Sequence, residues 1–431
     1  MKMMNSPAAL SPSVSNRHRW VVLGNPDNRR TTLFQSALQE AGLPAAHVIS
    51  YRDVLRGKLD LSEELAQFAG NGVLRIESPG EDHDVERRLI ALGARGKRGQ
   101  TLSGQTISTS HRLVSKGSDP FYHGLPGTSV GEISPQSALR LREDRGRVRH
   151  VRQWYAGFSS LLDDVEQALQ TIPGIMVQNH PAAIRLLFDK PGCHQFLAAS
   201  GVSVAPSLPP IHGYEELREA MKSAGWSRVF VKLAWGSSSS GVVAFSTVGG
   251  RPLAITSLEL VRRRGEARFY NNLTLSRYHN ESDLRAIFDF LGREGVHVEQ
   301  WLPKATQGGR NYDLRVVTFA GKACHTVVRT SLSPLTNLHL GNRRGDLSLV
   351  RQAAGERWSI VTDLCEQAAK ALPGALYVGW DVLVTPGFRR AVILEGNAFG
   401  DLLPNVVHEG FSTYGRGIAQ VLQGKVHRHE R

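Results

Sequence analysis

The chain has 431 residues, 41% of them hydrophobic, so it can form two or three compact domains with apolar cores and is too apolar to be disordered. Its 52 Lys and Arg residues against 39 Asp and Glu residues give a formal charge of +13, which favours anionic partners such as nucleotides, phosphates, acidic peptides or nucleic acid. No stretch reaches the roughly 18 apolar residues of a membrane span, and three widely spaced cysteines argue against a zinc cluster or a disulfide framework and favour a reducing cytoplasm.

The first elements predict an α/β domain on the substrate side over residues 18–175, after a flexible tail at 1–17. WVVLGNP at 20–26 is a short apolar strand that runs into a turn and then into a helical pattern. GNPDNRR has one glycine where a dinucleotide fingerprint has three, so that cofactor is not favoured. A second strand-like piece carries Arg75 and Glu77 near its carboxyl end, where open sheets usually bind ligands, and both are candidate substrate residues.

Residues 93–150 are rich in Gly, Ser, Arg and Lys with little periodicity, which predicts a long irregular basic insertion. Its most basic part is REDRGRVRHVRQW at 142–154, with Tyr155 directly after it. One interpretation is a solvated basic helix face. The alternatives are a site for an acidic substrate or for nucleic acid.

A pair of helices and a strand-loop-strand unit follow. The first helix would carry Asp189 and Lys190, and a second helix would follow it. RVFVKLAWGSSSSGVVAF at 228–245 then predicts two strands joined by a polar loop, with Lys232 at the end of the first strand. Gly236 and Gly241 have the spacing of P-loop glycines, but a strand rather than Lys-Ser/Thr and a helix follows, which excludes a Walker A loop.

The polar loop can still fold over phosphates, because small residues let backbone N–H groups approach an anion and hydroxyls add donors. Lys232 would supply a point charge beside it. The alternative is an ordinary hairpin with a surface lysine. The candidate phosphate-binding residues of the loop are Gly236, Ser237, Ser238, Ser239, Ser240 and Gly241.

VHVEQWLPKA at 296–305 is a strand that ends in a polar pair and a proline, a composition typical of a connection between two domains. Two alternating strands follow, with Arg315 on the first and Arg329 on the second. A turn centred on Gly321 would put both arginines on one face of the hairpin. A two-residue turn at Gly321 and Lys322 would put them on opposite faces, and the sequence leaves both registers open.

The last motifs are a polar loop, SPLTNLHLGNRRGD at 333–346, and a hairpin. The hairpin would bring Asp381 on one strand to Glu395 and Asn397 on the next, the latter two sharing a face because side chains alternate along a strand. Hard oxygen ligands without a nearby cysteine or histidine pair suit Mg²⁺ or Mn²⁺. A cation would also offset the repulsion between neighbouring buried carboxylates.

Together, the DK helix start, the lysine before a Gly/Ser loop, VEQWL, DLR, an arginine on the next strand, TNLHLGN and D…ExN resemble the ATP-grasp superfamily. The order is closest to the branch of ribosomal-protein glutamate ligases and similar peptide ligases, over about residues 176–410. The resemblance implies an α/β (α+β) fold with a Rossmann-like N-terminal domain before a two-lobed ATP-grasp core. The central lobe would span 176–300 and the C-terminal lobe 301–424, with a tail at 425–431.

The resemblance also implies roles for single residues. Lys190 and Lys232 would contact the phosphates of ATP. The adenine hinge would be formed by Glu299, Gln300, Trp301 and Leu302. The catalytic residues would be Arg315 and Arg329, which steady the transferred phosphoryl group and the acceptor carboxylate, with Asn337 and His339. Gly341 would lie near the substrate. Two Mg²⁺ ions would be held by Asp381, Glu395 and Asn397.

Two segments depart from the pattern of the branch. PKATQGGRNY, between the hinge and DLR, is longer than usual and leaves the ribose-binding acid unidentified. AFGDLLP follows ExN where the peptide ligases commonly have a Ser-Pro-Gly turn.

The resemblance implies an ATP- and Mg²⁺-dependent ligase that joins a carboxylate to an amine through an acylphosphate. The acid, which is a small molecule or a peptide, and the amine are not defined by the sequence, and no membrane partner is expected. A small-molecule kinase of the same fold is the first alternative. A basic nucleic-acid-binding protein built around residues 142–155 is a distant one.

Overall fold

The computed structural model describes residues 18–94, 131–236, 240–399 and 403–426. Several predicted features lie outside the described residues. They include the tail at 1–17, the last part of the tail at 425–431, and Ser237, Ser238 and Ser239 of the loop. No helix of the described part combines the length and the apolar composition that crossing a bilayer requires.

A parallel sheet forms the centre of the first domain, in the order β2-β1-β3-β4. Its strands are β1 (Arg19–Gly24), β2 (His47–Ser50), β3 (Gly72–Ile76) and β4 (Met176–Val177). Helices cover both faces, which is why the run of apolar residues in β1 is buried almost throughout. The predicted Rossmann-like opening is therefore confirmed, and β4, just beyond the predicted boundary at 175, pairs with β3.

The helices of this domain are α1 (Arg29–Glu40), α2 (Tyr51–Leu55), α3 (Leu61–Ala66), α4 (His83–Gly93), α5 (Pro135–Leu139) and α6 (Val151–Thr171). Two glycines let α4 and α6 pack with their backbones close together. A Cβ atom on Gly93 would lie 1.9 Å from the carbonyl oxygen of Gln153, and one on Gly157 would lie 1.9 Å from that of Leu89. Larger side chains at either position would separate the helices.

The interpretation of the basic cluster at 142–154 as a helix face was wrong for residues 142–149, which are not helical, whereas residues 151–154 open α6. Residues 142–149, called the basic strap below, run alongside β8 (Glu266–Tyr278) of the next sheet, where Arg147 and Tyr270 form an antiparallel bridge. Helix α6 begins only at Val151, because the Glu294 carboxylate accepts hydrogen bonds from the amides of His150 (2.9 Å) and Val151 (2.7 Å). An acidic group at a helix N-terminus satisfies free N–H groups and the helix dipole.

The second sheet is antiparallel, in the order β8-β7-β6-β5-β9. Its strands are β5 (Arg228–Leu233), β6 (Val243–Ser246), β7 (Leu253–Arg263), β8 (Glu266–Tyr278) and β9 (Val296–Gln300). The helices of this part of the chain are α7 (Pro181–Phe188), α8 (Lys190–Ala199), α9 (Tyr214–Ser223) and α10 (Glu281–Glu294). The predicted strand-loop-strand unit is β5 and β6, whereas the long β7–β8 hairpin was not predicted. Strand β8 reaches the 3₁₀ turn Leu338–Leu340 of the third sheet's lobe.

The third sheet is antiparallel, in the order β13-β12-β11-β14-β15, with β10 on β11. Its strands are β10 (Thr306–Gln307), β11 (Arg310–Phe319), β12 (Lys322–Ser331), β13 (Arg343–Arg344), β14 (Tyr377–Val384) and β15 (Ala391–Asn397). Its helices are α11 (Leu347–Ala354), α12 (Ser359–Ala371) and α13 (Thr413–Leu422). The predicted α/β class, with a parallel first sheet and two antiparallel lobes, is confirmed.

Two β-bulges set the register of this sheet. The turn between β11 and β12 has two residues, Ala320 (φ 46°) and Gly321 (φ 79°), as in type I′ hairpins. That turn alone would put Arg315 and Arg329 on opposite faces, but one extra residue of β12 between Ala323 and Thr326 shifts the register. The two arginines therefore share a face, as one alternative predicted, although the turn at Ala320 and Gly321 is neither of the two turns considered.

The second bulge inserts Leu394 into β15, so that Glu395 lies directly opposite Asp381. Asp381 in turn lies opposite Arg315 of β11. Side chains of directly opposed residues point to the same side of a sheet. One face of the third sheet thus carries Asp313, Arg315, Arg329, Asp381, Glu395 and Asn397.

The three sheets do not have three separate cores. The largest apolar core combines residues of the first sheet, such as Leu74, with residues of α7, such as Ile184, and of the third sheet, such as Trp380. The second sheet has its own core, in which Phe245 and Phe288 pack on Tyr214. The first domain and the C-terminal lobe therefore form one packed body, against which the central lobe lies.

Candidate active site

A cleft of about 880 Å³ opens between the two antiparallel sheets and the first domain. It brings together fourteen of the residues predicted from the sequence. They are Lys190, Lys232, Gly236, Ser240, Glu299, Gln300, Leu302, Arg315, Arg329, Asn337, His339, Asp381, Glu395 and Asn397. Residues separated by up to 207 positions in the chain thus line one space.

Opposite charges alternate on the face of the third sheet that lines the cleft. Arg315 Nε donates to Asp381 Oδ1, and Arg329 Nη2 lies 3.0 Å from Asp381 Oδ2. Burial raises the pKa of Asp381, but the two guanidinium groups outweigh burial and hold that pKa below its usual range. The carboxylate is therefore charged and oriented by both arginines.

Asp313 is a second buried anion in this network, and no role was predicted for it. Its Oδ1 accepts from Arg329 Nε (2.7 Å), and its Oδ2 accepts from Thr336 Oγ1 and lies 3.4 Å from Lys304 Nζ. Asp313 is only 3% exposed. A signal was present, because Asp313 and Arg315 are two residues apart on a strand and must share a face.

Lys304, the second missed residue, lies just beyond the predicted hinge and lines the cleft. Its ammonium donates to Thr336 Oγ1 (2.8 Å) and to the carbonyl oxygen of Pro334 (3.2 Å). Burial lowers its pKa and Asp313 opposes that shift, while Arg329 and Lys232 lower it further. Lys304 thereby fixes the loop that begins at Pro334 to the strand that leaves the hinge.

Glu395 and Asn397 provide oxygen atoms beside Asp381. Glu395 Oε1 lies 3.4 Å from Lys190 Nζ, and the Lys190 ammonium also donates to the carbonyl oxygen of Gly236. Asn397 Nδ2 donates to the carbonyl oxygen of Gly379 at 2.9 Å. Within the described ranges no group of three or more His, Cys, Asp and Glu side chains is spaced to hold a metal. Two carboxylates and one amide are, however, a donor set that fits Mg²⁺, which usually takes few protein ligands and completes its shell with phosphate and water.

Lys232 is buried and paired rather than exposed at the surface. Its ammonium lies 2.8 and 2.7 Å from the two carboxylate oxygens of Glu299, and His297 Nε2 lies 3.2 Å from Glu299 Oε1. Burial raises the pKa of Glu299, but Lys232 and His297 outweigh burial and lower it to about 2. The Glu299 side chain therefore neutralises Lys232. Only the backbone of Glu299 is then available to a ligand at the hinge.

The remaining hinge residues divide between the cleft and the outer surface of the strand. Gln300 and Leu302 line the cleft, beside the apolar side chains of Phe230, Leu383 and Leu394. Trp301 is not among the lining residues, and its ring packs on Phe230 with centroids 5.2 Å apart. This part of the cleft is apolar, as ligand pockets in proteins usually are.

The described ends of the Gly/Ser loop lie at the cleft, while Ser237, Ser238 and Ser239 lie outside the described residues. Gly241 does not line the cleft but has φ +69°, and a Cβ atom there would lie 2.6 Å from Leu233 Cδ1. Trp235, which the sequence analysis missed, stacks on Tyr155 of α6 at 5.2 Å. That contact joins the root of the loop to the first domain.

Arg75 and Glu77 lie away from the cleft, contrary to their predicted place at a substrate site. Both are buried, with Arg75 Nε 2.6 Å from Glu77 Oε1 and the guanidinium 4.6 and 4.8 Å from the rings of Tyr377 and Tyr414. They join the first sheet to the C-terminal lobe, because α13 covers the carboxyl end of the sheet, where a substrate site was predicted. Gly341 ends the Leu338–Leu340 turn and does not line the cleft.

Lys232 allows a direct test of nucleotide binding. We expect Lys232→Ala to weaken ATP binding by about 10- to 100-fold, since a hydrogen bond to a charged group contributes about 1.5–3 kcal/mol. Lys232→Arg keeps the charge that balances Glu299, yet it should recover little affinity because a planar fork replaces a compact ammonium. Isothermal titration calorimetry with Mg-AMPPNP measures the change. The exposed Lys222→Ala variant is the control, and equal affinity in wild type and Lys232→Ala would make Lys232 a purely structural partner of Glu299.

Comparison with known proteins gives fold-level likenesses only. No family model matches the chain, and no curated protein matches it. The solved structures similar to it include the ATP-grasp ligase PsnB complexed with a precursor peptide and AMPPNP, at 16% identity and a TM-score of 0.46 over 95% of this chain and 97% of that one. D-cycloserine synthetase DcsG has 12% identity and a TM-score of 0.49 over 94% and 99%. D-alanine–D-alanine ligase from Bacillus anthracis, complexed with ATP, has 11% identity and a TM-score of 0.45 over 95% and 97%. At these values the geometry of the cleft, and not the likeness, must carry a functional assignment.

Proposed function

We propose that this chain is an ATP-grasp enzyme that uses ATP and Mg²⁺ to join a carboxylate to an amine, with release of ADP and phosphate. One observation carries the proposal. Arg315, Arg329, Asp381 and Glu395 lie on one face of the third sheet, and Lys190 and Lys232 reach the same cleft from the other side. Cations for a polyphosphate and carboxylates for its metal are what phosphoryl transfer requires of a protein.

ATP would lie between the two antiparallel sheets. The purine fits the apolar part of the cleft at Gln300 and Leu302, and the phosphates extend toward Lys190 and Lys232. Lys190 is well placed to couple nucleotide and metal, since its ammonium lies between the Gly236 carbonyl and Glu395. The loop that starts at Gly236 would close over the phosphates.

Mg²⁺, or Mn²⁺, would be held by Asp381, Glu395 and Asn397. When bound, the metal neutralises charge on the phosphates and supports in-line transfer. In the described structure the Asp381 carboxylate forms ion pairs with Arg315 and Arg329. Nucleotide and metal would draw these arginines toward the γ-phosphate.

The first chemical step is attack of a substrate carboxylate oxygen on the γ-phosphorus. The bond to the β–γ bridging oxygen breaks, giving an acylphosphate and ADP. Arg315 and Arg329 neutralise charge on the transferred group and orient the acid. Asn337 and His339 line the cleft beyond them and would lie along the acceptor.

In the second step the amine nitrogen attacks the acyl carbon, phosphate leaves, and the nitrogen loses a proton. Water has to be excluded, because it hydrolyses an acylphosphate. The β7–β8 hairpin contributes a wall for this purpose, since β8 already reaches the Leu338–Leu340 turn. Closure of the central lobe would complete the enclosure.

Trapping the intermediate tests the reaction. With the correct acid, found by ADP release in a panel of carboxylic acids and acidic peptides, wild-type enzyme with Mg-ATP and hydroxylamine should give a hydroxamate, ADP and free phosphate. A stable phosphate ester, without hydroxamate or free phosphate, would instead make the chain a kinase. Mass spectrometry and a phosphate assay separate the two results.

Arg329→Lys tests the role of the arginines. We expect turnover to fall by roughly 10² to 10³, the range for loss of one preorganised donor in a transition state. Lysine keeps the charge beside Asp313 and Asp381 but cannot reproduce the fork that binds both. Affinity for Mg-AMPPNP should stay within about threefold. The exposed Arg343→Lys is the control, and unchanged turnover in Arg329→Lys would remove Arg329 from the reaction.

A further inference from the structure

The basic strap lines the cleft beside β8 of the second sheet. Its main chain holds it on β8, through hydrogen bonds from the Val148 amide to the Phe269 carbonyl (2.9 Å) and from the Asn271 amide to the Gly146 carbonyl (2.6 Å). Because the main chain supplies this attachment, the arginine side chains of the strap are not needed to dock it.

Three arginines of the strap line the cleft, and two of them, Arg147 and Arg149, have no carboxylate partner among the described residues. Arg147 and Arg149 are partly buried, are two residues apart, and both line the cleft. The Arg147 guanidinium lies over the ring of Tyr270 (5.3 Å), and its Nη1 is buried with no hydrogen-bond partner in the described structure. Arg149 Nη2 donates to the carbonyl oxygen of Arg142 at 2.7 Å, which supplies no countercharge.

Arg145 of the same strap shows the contrast. Its side chain is 92% exposed, and its Nε lies 3.2 Å from Glu143 Oε1. Burial lowers the pKa of Arg149, and although Asp144 and Glu86 oppose this, Arg147 lowers it further. Two adjacent, partly buried cations repel each other and lose hydration, so an anion between them is strongly favoured.

We propose that Arg147 and Arg149 bind a carboxylate of the acid substrate other than the one that is activated, so the acceptor carries at least two acid groups. This inference rests on the proposed function. The reacting carboxylate has to reach Arg315 and Arg329 on the third sheet, whereas the strap is attached to β8 of the second sheet. A guanidinium binds a planar carboxylate through two parallel hydrogen bonds, which suits an acidic peptide or a small polycarboxylate.

The test is a binding measurement with N-acetyl-hexaglutamate amide carrying a fluorescent label, followed by anisotropy with and without Mg-AMPPNP. We expect the Arg147→Gln/Arg149→Gln double variant to raise the Kd at least tenfold. The matched control, Arg142→Gln/Arg145→Gln, removes two charges from the same strap and should stay within twofold. Similar losses in both variants, or no binding by wild type, would overturn the proposal.

A second arm separates carboxylate recognition from general attraction to polyanions. Unlabelled hexathymidylate should displace the peptide at least tenfold less well than unlabelled hexaglutamate. Equal displacement that depends on the same two arginines would contradict the carboxylate assignment and favour nucleic acid. Mg-AMPPNP affinity and melting temperature should be unchanged in both double variants. Failure of wild type to bind Mg-AMPPNP would count against the ligase proposal alone. Anisotropy of the labelled peptide without Mg-AMPPNP tests the two strap arginines separately.

Discussion

Replacing Glu395 by glutamine is expected to lower turnover by roughly 10³-fold while the fold is retained. Metal-assisted charge neutralisation contributes several kcal/mol to a transition state, and each 1.36 kcal/mol changes the rate tenfold. Glu395 is the better choice for this test, because Asp381 also balances Arg315 and Arg329 and its loss would disturb both. Among the described residues, the ion pair that Glu395 makes is with the Lys190 ammonium, at 3.4 Å.

A binding readout makes the Glu395 result specific to the metal. In wild type, added Mg²⁺ should tighten AMPPNP binding, and in Glu395→Gln this tightening should be largely lost. Glu366→Gln is the control. Glu366 Oε2 lies 2.7 Å from Lys322 Nζ in the same lobe, and neither residue lines the cleft. Full activity of Glu395→Gln at modest Mg²⁺ would refute the metal assignment.

Replacing Asp313 by alanine is expected to destabilise the protein by about 3–5 kcal/mol, the range for removing one partner of a buried ion pair. Asp313 is the shared acceptor for Arg329, Lys304 and Thr336. Its loss would leave the Arg329 and Lys304 cations buried without this carboxylate. The lowered pKa of Asp313 has the same cause, since the two cations outweigh the effect of burial.

Chemical denaturation followed by fluorescence measures the Asp313 effect from the shift in midpoint. Asp313→Asn, which keeps the size of the side chain, gives a second measurement if Asp313→Ala does not fold. The exposed Asp363→Ala should change stability by less than about 0.5 kcal/mol. A midpoint for Asp313→Ala equal to that of Asp363→Ala would mean that the network contributes nothing to stability.

The elements of the two antiparallel lobes could be predicted because their signals are local. Alternating side chains and short Gly-containing turns mark β5, β11, β12, β14 and β15 in the sequence. The charged positions of these strands were also recognisable, since a carboxylate or an arginine at the end of an apolar strand is costly unless it is paired. The order of these positions then indicated one site.

The register of those strands could not be predicted. Both hairpins that carry the site contain a bulge, one between Ala323 and Thr326 and one at Leu394. A bulge moves every later side chain to the other face, yet nothing in the composition of either segment identifies the extra residue. The alignment of Arg329 with Arg315 therefore appears only in three dimensions, whereas the meeting of Asp381 with Glu395 was predicted from the hairpin but its bulge was not.

Long-range packing explains the other errors. Arg75 and Glu77 stand where a parallel sheet usually binds ligands, but α13, more than 330 residues later, brings Tyr414 over them. The basic cluster has a composition typical of an exposed helix, yet β8 provides an open edge that it pairs with. In both cases the partner is far away in the sequence, so no local pattern contains the information.

The single core shared by the first domain and the C-terminal lobe limits how the enzyme could be re-engineered. Exchanging the whole first domain for that of another protein would cut through apolar contacts that include Leu74, Ile184 and Trp380. Grafting only the strap, which is attached through its main chain at Gly146 and Val148, would leave that core intact. A library that varies residues 142–149 therefore offers a way to diversify acceptor choice without rebuilding the scaffold.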